Sequence, residues 1–152
     1  MGSRDEPPVI RRAVSADAHP IAALEAIVAH HAWSEASVRS TLQLATTAAW
    51  VIVLDGHIRG HLISTHLFER AEVLLVAVDP SLRRQGWGRR LLHHGQQHWA
   101  HHGVTEAWLE VRVDNAPARA LYDALGWTKH SVRHRYYRDA TDAVLYHCAV
   151  GD

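Results

Sequence analysis

The chain has 152 residues, 47% of them hydrophobic, with 16 Lys+Arg balanced against 16 Asp+Glu. That suffices for one domain with one core, and the balanced charge gives no argument for binding nucleic acid or a membrane surface. No apolar run approaches the roughly 20 residues of a bilayer-spanning helix, Met1–Pro8 lacks the apolar core of a signal segment, and a single cysteine, Cys148, excludes an internal disulfide framework; the expectation is a cytoplasmic protein with a single domain over residues 1–152.

In chain order, Pro7 to Val14 reads as a first strand. Asp17 is placed as N-cap of a helix carrying Ile21, Leu24, Ile27 and Val28 on one face. Ser34 starts a second helix, with Glu35 in its first turn, running towards Leu44. Ala48 to Leu54 is β-rich and ends in Asp55-Gly56, a hairpin signal. His57 to Phe68 is the return strand and Glu72 to Val78 the next, stopped by Asp79-Pro80. A helix follows from about Gly88 to His102 with Gly103 behind it, then a strand from Glu106 to Val113. Asn115 and Pro117 open a last helix that Gly126 ends. Trp127 to Tyr137 and Ala143 to Val150 complete the chain as strands. The order β-α-α-β-β-β-α-β-α-β-β implies an α/β (α+β) protein, a mixed sheet with helices on its faces.

The most telling local pattern is Arg83-Arg84-Gln85-Gly86-Trp87-Gly88, between a strand and a helix. Free N–H groups in such a loop and the positive end of the helix both favour a phosphate. Glycines let the backbone approach a ligand closely, and arginines pair with further phosphate charge. The spacing is neither the GxGxxG of dinucleotide binders nor the Gly-Lys-Ser/Thr of a P-loop. A plain surface turn is the alternative reading of these six residues.

The chain also holds 14 histidines, five of them (His93, His94, His98, His101, His102) in the third predicted helix. His94 and His98 stand at i, i+4, a spacing that can chelate a metal. No HExxH arrangement or nearby cysteine accompanies them, so a solvated helix face that changes charge near pH 6–7 is the expectation, and no metal.

The Arg-x-x-Gly-x-Gly loop resembles the acetyl-CoA diphosphate loop of the GCN5-related N-acetyltransferase (GNAT) superfamily. Val76-Ala77-Val78-Asp79-Pro80, Trp108-Leu109-Glu110-Val111-Arg112, Asn115-Ala116-Pro117-Ala118, Ala120-Leu121-Tyr122, Leu125-Gly126-Trp127 and Arg135-Tyr136-Tyr137 look like the RimI group of ribosomal-protein alanine N-acetyltransferases. Ala32-Trp33-Ser34-Glu35 is similar to a substrate-side segment of that group. The resemblance implies a GNAT fold with a mixed, mostly antiparallel central sheet flanked by about four helices. It implies acetyl-CoA as cosubstrate and, as acceptor, a protein N-terminus.

By the same resemblance Glu110 is the general base, acting through water, and Tyr122 the general acid. The backbone of Val76, Ala77 and Val78 pairs with the pantetheine amides, the main chain from Arg84 through Gln85, Gly86, Trp87 and Gly88 to Arg89 holds the diphosphate, and Arg83 stands at its entrance. Asn115 touches the pantetheine arm, although on any reading it is also a helix N-cap. Acetyl transfer to an amine needs a proton acceptor, an oxyanion donor and a proton for the leaving thiolate. An α-amine with pKa about 7.7–8.0, against about 10.4 for lysine, is largely ready for a modest carboxylate base near neutral pH.

Other readings stay open at this level. Glu110 can be an edge-strand carboxylate, and Tyr122 a packing residue. The acceptor can be a lysine, a polyamine or another small amine, and a non-catalytic acyl-CoA-binding module is a further alternative. Leu75 stands where the RimI group commonly has Asn, on a strand bordering the acceptor groove. The basic, aromatic segment 130–137 is either a peptide or ribosomal contact or a solvated hairpin.

Overall fold

The computed structural model describes residues 6–29 and 31–151; the part of the Met1–Pro8 reading that concerns residues 1–5 lies outside the described residues. Seven strands are ordered β1-β2-β3-β4-β5-β7-β6. They are β1 (Val9–Arg12), β2 (Thr47–Leu54), β3 (His57–Leu67), β4 (Arg70–Val78), β5 (Glu106–Arg112), β6 (Thr128–Arg133) and β7 (Ala143–Ala149). Four helices punctuate them: α1 (Ala18–Val28), α2 (Glu35–Leu42), α3 (Trp87–His101) and α4 (Ala116–Ala124). The β1–β2, β2–β3, β5–β7 and β6–β7 pairs are antiparallel, and β4–β5 is parallel. This is the expected mixed sheet.

The described residues divide into two compact units, one within 1–65 and 74–95, the other within 66–73 and 96–152. In the first, Ala18 and Ile21 of α1, Val38 of α2, Ala49 and Val51 of β2 and Ile63 of β3 make a fully buried cluster, with Leu74 and Leu75 of β4 packed against it. Leu24 joins the buried face of α1, whereas Ile27, expected there, is 71% exposed. Ser34 caps α2 as predicted, its hydroxyl accepting from the Ser37 N–H at 3.1 Å. Asp17 does occupy the N-cap position of α1, but its side chain turns back: it accepts from the Val14 N–H at 2.8 Å and pairs with both guanidinium nitrogens of Arg11 at 2.8 and 3.0 Å. The Asp55-Gly56 turn has φ of 52° and 78°, the doubly positive geometry of a tight hairpin.

One irregularity in this unit anchors the glycine loop. The β2–β3 register skips Arg59, with Ile52 opposite Gly60 and Val53 opposite Ile58. The Arg59 carbonyl is thereby free to accept the Asp79 N–H at 2.7 Å, which fixes the start of the loop. Gly60 suits this close approach, because a Cβ would stand 2.5 Å from Ile52 Cδ1 and 3.1 Å from the Ala77 carbonyl oxygen, and both neighbours would have to shift.

In the second unit, Ala107, Leu109 and Val111 of β5 and Ala143, Val144 and Tyr146 of β7 are buried, with Trp99, Tyr122 and Trp127. Alternate residues of β5, Trp108, Glu110 and Arg112, face the other way, as strand periodicity requires. The last hairpin departs from expectation. β6 stops at Arg133 instead of running to Tyr137, because Arg135 adopts φ of 52° and its N–H is taken by the Asp142 carboxylate at 2.9 Å. Tyr136 and Tyr137 therefore lie in a turn.

Candidate active site

The glycine loop belongs to the first unit. Past Val78, Asp79 accepts from the Ser81 N–H and hydroxyl at 2.9 and 2.7 Å, which holds its carboxyl below the usual carboxylate range. Pro80–Leu82 forms one 3₁₀ turn. Arg84 and Gly86 then both take positive φ, 64° and 83°. Alternation into the left-handed region points successive N–H groups to one side and makes a concave anion nest. The N–H groups of Arg84, Gln85 and Gly86 donate to no protein acceptor among the described residues. Trp87 opens α3, so the unsatisfied N–H groups of its first turn continue the nest, and that turn carries no acidic residue. Arg83 is tied back by its Nε to the Val78 carbonyl at 3.3 Å, and Gln85 reaches the Ser81 carbonyl at 3.3 Å. These features fit a diphosphate, by main chain first and by charge second. Trp87 itself is buried, and the Arg90 guanidinium lies 4.5 Å from its ring centroid.

The strand leading into the loop has a property useful to a cofactor. The β4–β5 ladder comprises only Arg70, Ala71 and Glu72 against Glu106, Ala107 and Trp108. Val76, Ala77 and Val78 lie outside that ladder. Leu75, the residue that departs from the RimI pattern, is half-buried against the apolar cluster of the first unit.

The two residues expected to handle protons belong to the second unit. Glu110 sits on β5, an interior strand, opposite Leu145 of β7. Its carboxylate stands 3.6 Å from Arg133 Nε. Glu110 raises the pKa of the Tyr136 phenol, through hydrogen bonding first and its negative charge second. The Arg133 guanidinium lies 5.8 Å from the Tyr136 ring centroid, closing a three-residue set around one carboxylate. Arg112, two residues on, is engaged elsewhere. It pairs with Asp139 at 2.8 Å and Asp114 at 3.2 Å, and donates to Thr141 at 2.9 Å. Those carboxylates hold it firmly charged, and Asp139 is held far below the usual carboxylate range in return.

Tyr122 is buried on α4, its ring 5.8 Å from those of both Trp127 and Tyr146. Burial, and then Tyr146, push its phenol well above the ordinary value, so it stays protonated at any physiological pH. Tyr146 accepts from Arg119 Nε at 3.3 Å. Asn115 caps α4, its Oδ1 accepting from the Ala118 N–H at 3.2 Å.

Three arrangements were not among the expectations from the sequence. Arg133, the last residue of β6, reaches Glu110 and lies against the Tyr136 ring just beyond the end of the strand. Arg90 lies on Trp87. A buried pair joins Glu25 of α1 to His61 of β3 at 2.7 Å. A charged residue inside the apolar face of α1 and a histidine inside an apolar strand were the available signals for the last. In the histidine-rich helix, His94 is exposed; the closest imidazole pair is His98 with His102, stacked at 4.2 Å and flanked by His66 of β3. Among the described residues no three His, Cys, Asp or Glu side chains are arranged to hold a metal, and no helix is long and apolar enough to cross a membrane.

Comparison with known proteins agrees with this geometry. The [Ribosomal protein bS18]-alanine N-acetyltransferase of Escherichia coli (strain K12) is 36% identical over 105 residues, covering 69% of this chain and 70% of that protein. The N-alpha-acetyltransferase RimI of Mycobacterium tuberculosis is 45% identical over 67 residues, 44% of this chain and 40% of that one. Among solved structures, the ribosomal-protein-S18-alanine N-acetyltransferase from Escherichia coli superposes with a TM-score of 0.88 at 30% identity, over 96% of each chain. Arabidopsis thaliana NAA60 in complex with a bisubstrate analogue shares the fold, with a TM-score of 0.84 at 14% identity over 94% of this chain and 98% of that one. The Acetyltransferase (GNAT) family model matches residues 17–127, and the chain accordingly belongs to the GNAT family of acetyl-CoA-dependent acetyltransferases.

Proposed function

We propose that this enzyme transfers an acetyl group to the N-terminal α-amine of a protein, in the manner of a ribosomal-protein alanine N-acetyltransferase, and that it does so in the cytoplasm. The observation carrying this reading is the similarity to the Escherichia coli enzyme over most of both chains, together with an anion nest formed by the glycine loop. Strands β3 and β4 each pass through both compact units, which supports reading 1–152 as one acetyltransferase domain.

When bound, acetyl-CoA supplies the thioester whose carbonyl carbon the amine attacks. The nest from Arg84 through Gln85, Gly86, Trp87 and Gly88 to Arg89 holds the diphosphate by main-chain N–H groups, with Arg83 adding charge. Val76, Ala77 and Val78, free of the β4–β5 ladder, pair strand-fashion with the pantetheine amides. Asn115 has its Oδ1 committed to the helix cap, so only its amide nitrogen is left for the pantetheine arm.

Glu110 takes the proton that the attacking amine loses, through a water, and passes it to solvent. The C–S bond then breaks, and Tyr122 donates a hydrogen bond to the leaving sulfur. A thiol near pKa 8.5 is a stronger acid than a phenol near 10. Burial widens that gap, so Tyr122 acts by donating the bond and retains its proton. A protein α-amine, with pKa about 7.7–8.0, suits a carboxylate base near neutral pH better than lysine does. Incubation with acetyl-CoA and an Ala-starting peptide, read by thiol release, tests the reading: release is expected, and none across a panel of N-terminal peptides contradicts it.

A further inference from the structure

The cofactor loop is followed by a charge arrangement that the diphosphate nest does not use. From Pro80 to Thr105 the chain contains no Asp or Glu, while the same stretch holds four arginines and five histidines. Three of the arginines flank the nest. The fourth, Arg90, is on the first turn of α3, three residues after Trp87. Helical side chains lean towards the N-terminus of their helix, so Arg90 folds back over Trp87, its guanidinium 4.5 Å from the ring centroid. Trp87 is buried and cannot follow solvent motions, so it is a fixed platform. Arg90 makes no ion pair among the described residues, and its charge helps to lower the pKa of His94, after desolvation and His93. The Arg90 guanidinium over that ring is exposed and has N–H groups to offer a ligand, and the guanidinium fork matches a phosphate bidentately.

Resting on the acetyl-CoA reading above, we propose that Arg90, placed over Trp87, binds the 3′-phosphate of coenzyme A and makes the enzyme select the 3′-phosphorylated cofactor over its dephospho form. A terminal phosphomonoester carries about −1.5 to −2 at neutral pH and rewards a cationic fork most. The bridging diphosphate is already supplied with main-chain donors and a helix end.

Calorimetric titration of CoA and of dephospho-CoA into the full chain and into Arg90→Ala and Arg90→Lys tests this. Arg90 is exposed, so both variants fold. The unmodified chain is expected to prefer CoA about tenfold or more. Arg90→Ala should abolish that preference with dephospho-CoA affinity unchanged, and Arg90→Lys should keep part of it. Equal weakening of both ligands, or no weakening of either, overturns the assignment and leaves the cofactor reading intact. Failure of the unmodified chain to bind either ligand overturns both.

Discussion

Glu110 of β5 and Arg133 of β6 stand 3.6 Å apart, and the same carboxylate raises the pKa of the Tyr136 phenol. A carboxylate so placed is anchored in direction while 29% exposed, the condition for accepting a proton through water. Glu110→Gln keeps the shape and removes the basicity. Its turnover should fall about 10²–10⁴-fold, with CoA affinity unchanged by titration. Turnover within about threefold of the unmodified enzyme removes Glu110 from the chemistry.

Tyr122 makes a different prediction. Its phenol is raised above the ordinary value of about 10 by burial, so it stays protonated throughout an assay range. The pH–rate profile should show no loss of activity assignable to phenol ionisation up to about pH 10. Tyr122→Phe should lower kcat at every pH by a similar factor. A profile whose alkaline limb disappears in Tyr122→Phe contradicts this.

The Glu25–His61 pair tests the core. Both side chains are buried, and they meet at 2.7 Å. Removing one partner strands the other away from water, so Glu25→Ala should cost about 3 kcal/mol in a urea titration. The double replacement Glu25→Leu, His61→Leu should cost clearly less than the two single changes summed. Additive losses would mean that the two side chains do not act as a pair.

His66 and His94 both have pKa values lowered, in each case mainly by desolvation. His66 also faces His98 and His102. A depressed histidine binds its proton less readily folded than unfolded, so its contribution falls as pH drops through the unfolded value of about 6.5. The lowered carboxyls of Asp17, Asp79, Asp139 and Asp142 lose their contributions only below about pH 4. The urea midpoint should therefore fall between about pH 7.5 and pH 5.5, and fall less in His66→Asn. An identical fall in both proteins would exclude His66 as a source.

What the sequence makes legible is mostly short-range. Asp55-Gly56, Ser34, Asn115 and Gly126 act within a few residues of themselves, and each ends or starts an element where its chemistry says it should. The failures are long-range. Val132 to Tyr137 has strand composition, but Asp142, seven residues after Arg135, captures the Arg135 N–H and turns the chain. Asp17 is a good cap by type, yet Arg11 and Val14 claim its oxygens. Glu25 and His61 are 36 residues apart, and no local pattern announces their bond. The site shows the same division. The nest is readable from Gly86 and its arginines, whereas the surroundings of Glu110 lie beside that unforeseen turn.

Mass spectrometry of an Ala-starting peptide after incubation with the enzyme and acetyl-CoA tests the central claim most directly. The account predicts one added acetyl group, on the α-amine of the first residue and not on any lysine side chain, dependent on Glu110. Acetylation confined to lysine, or a peptide of unchanged mass while CoA binds normally, would contradict it.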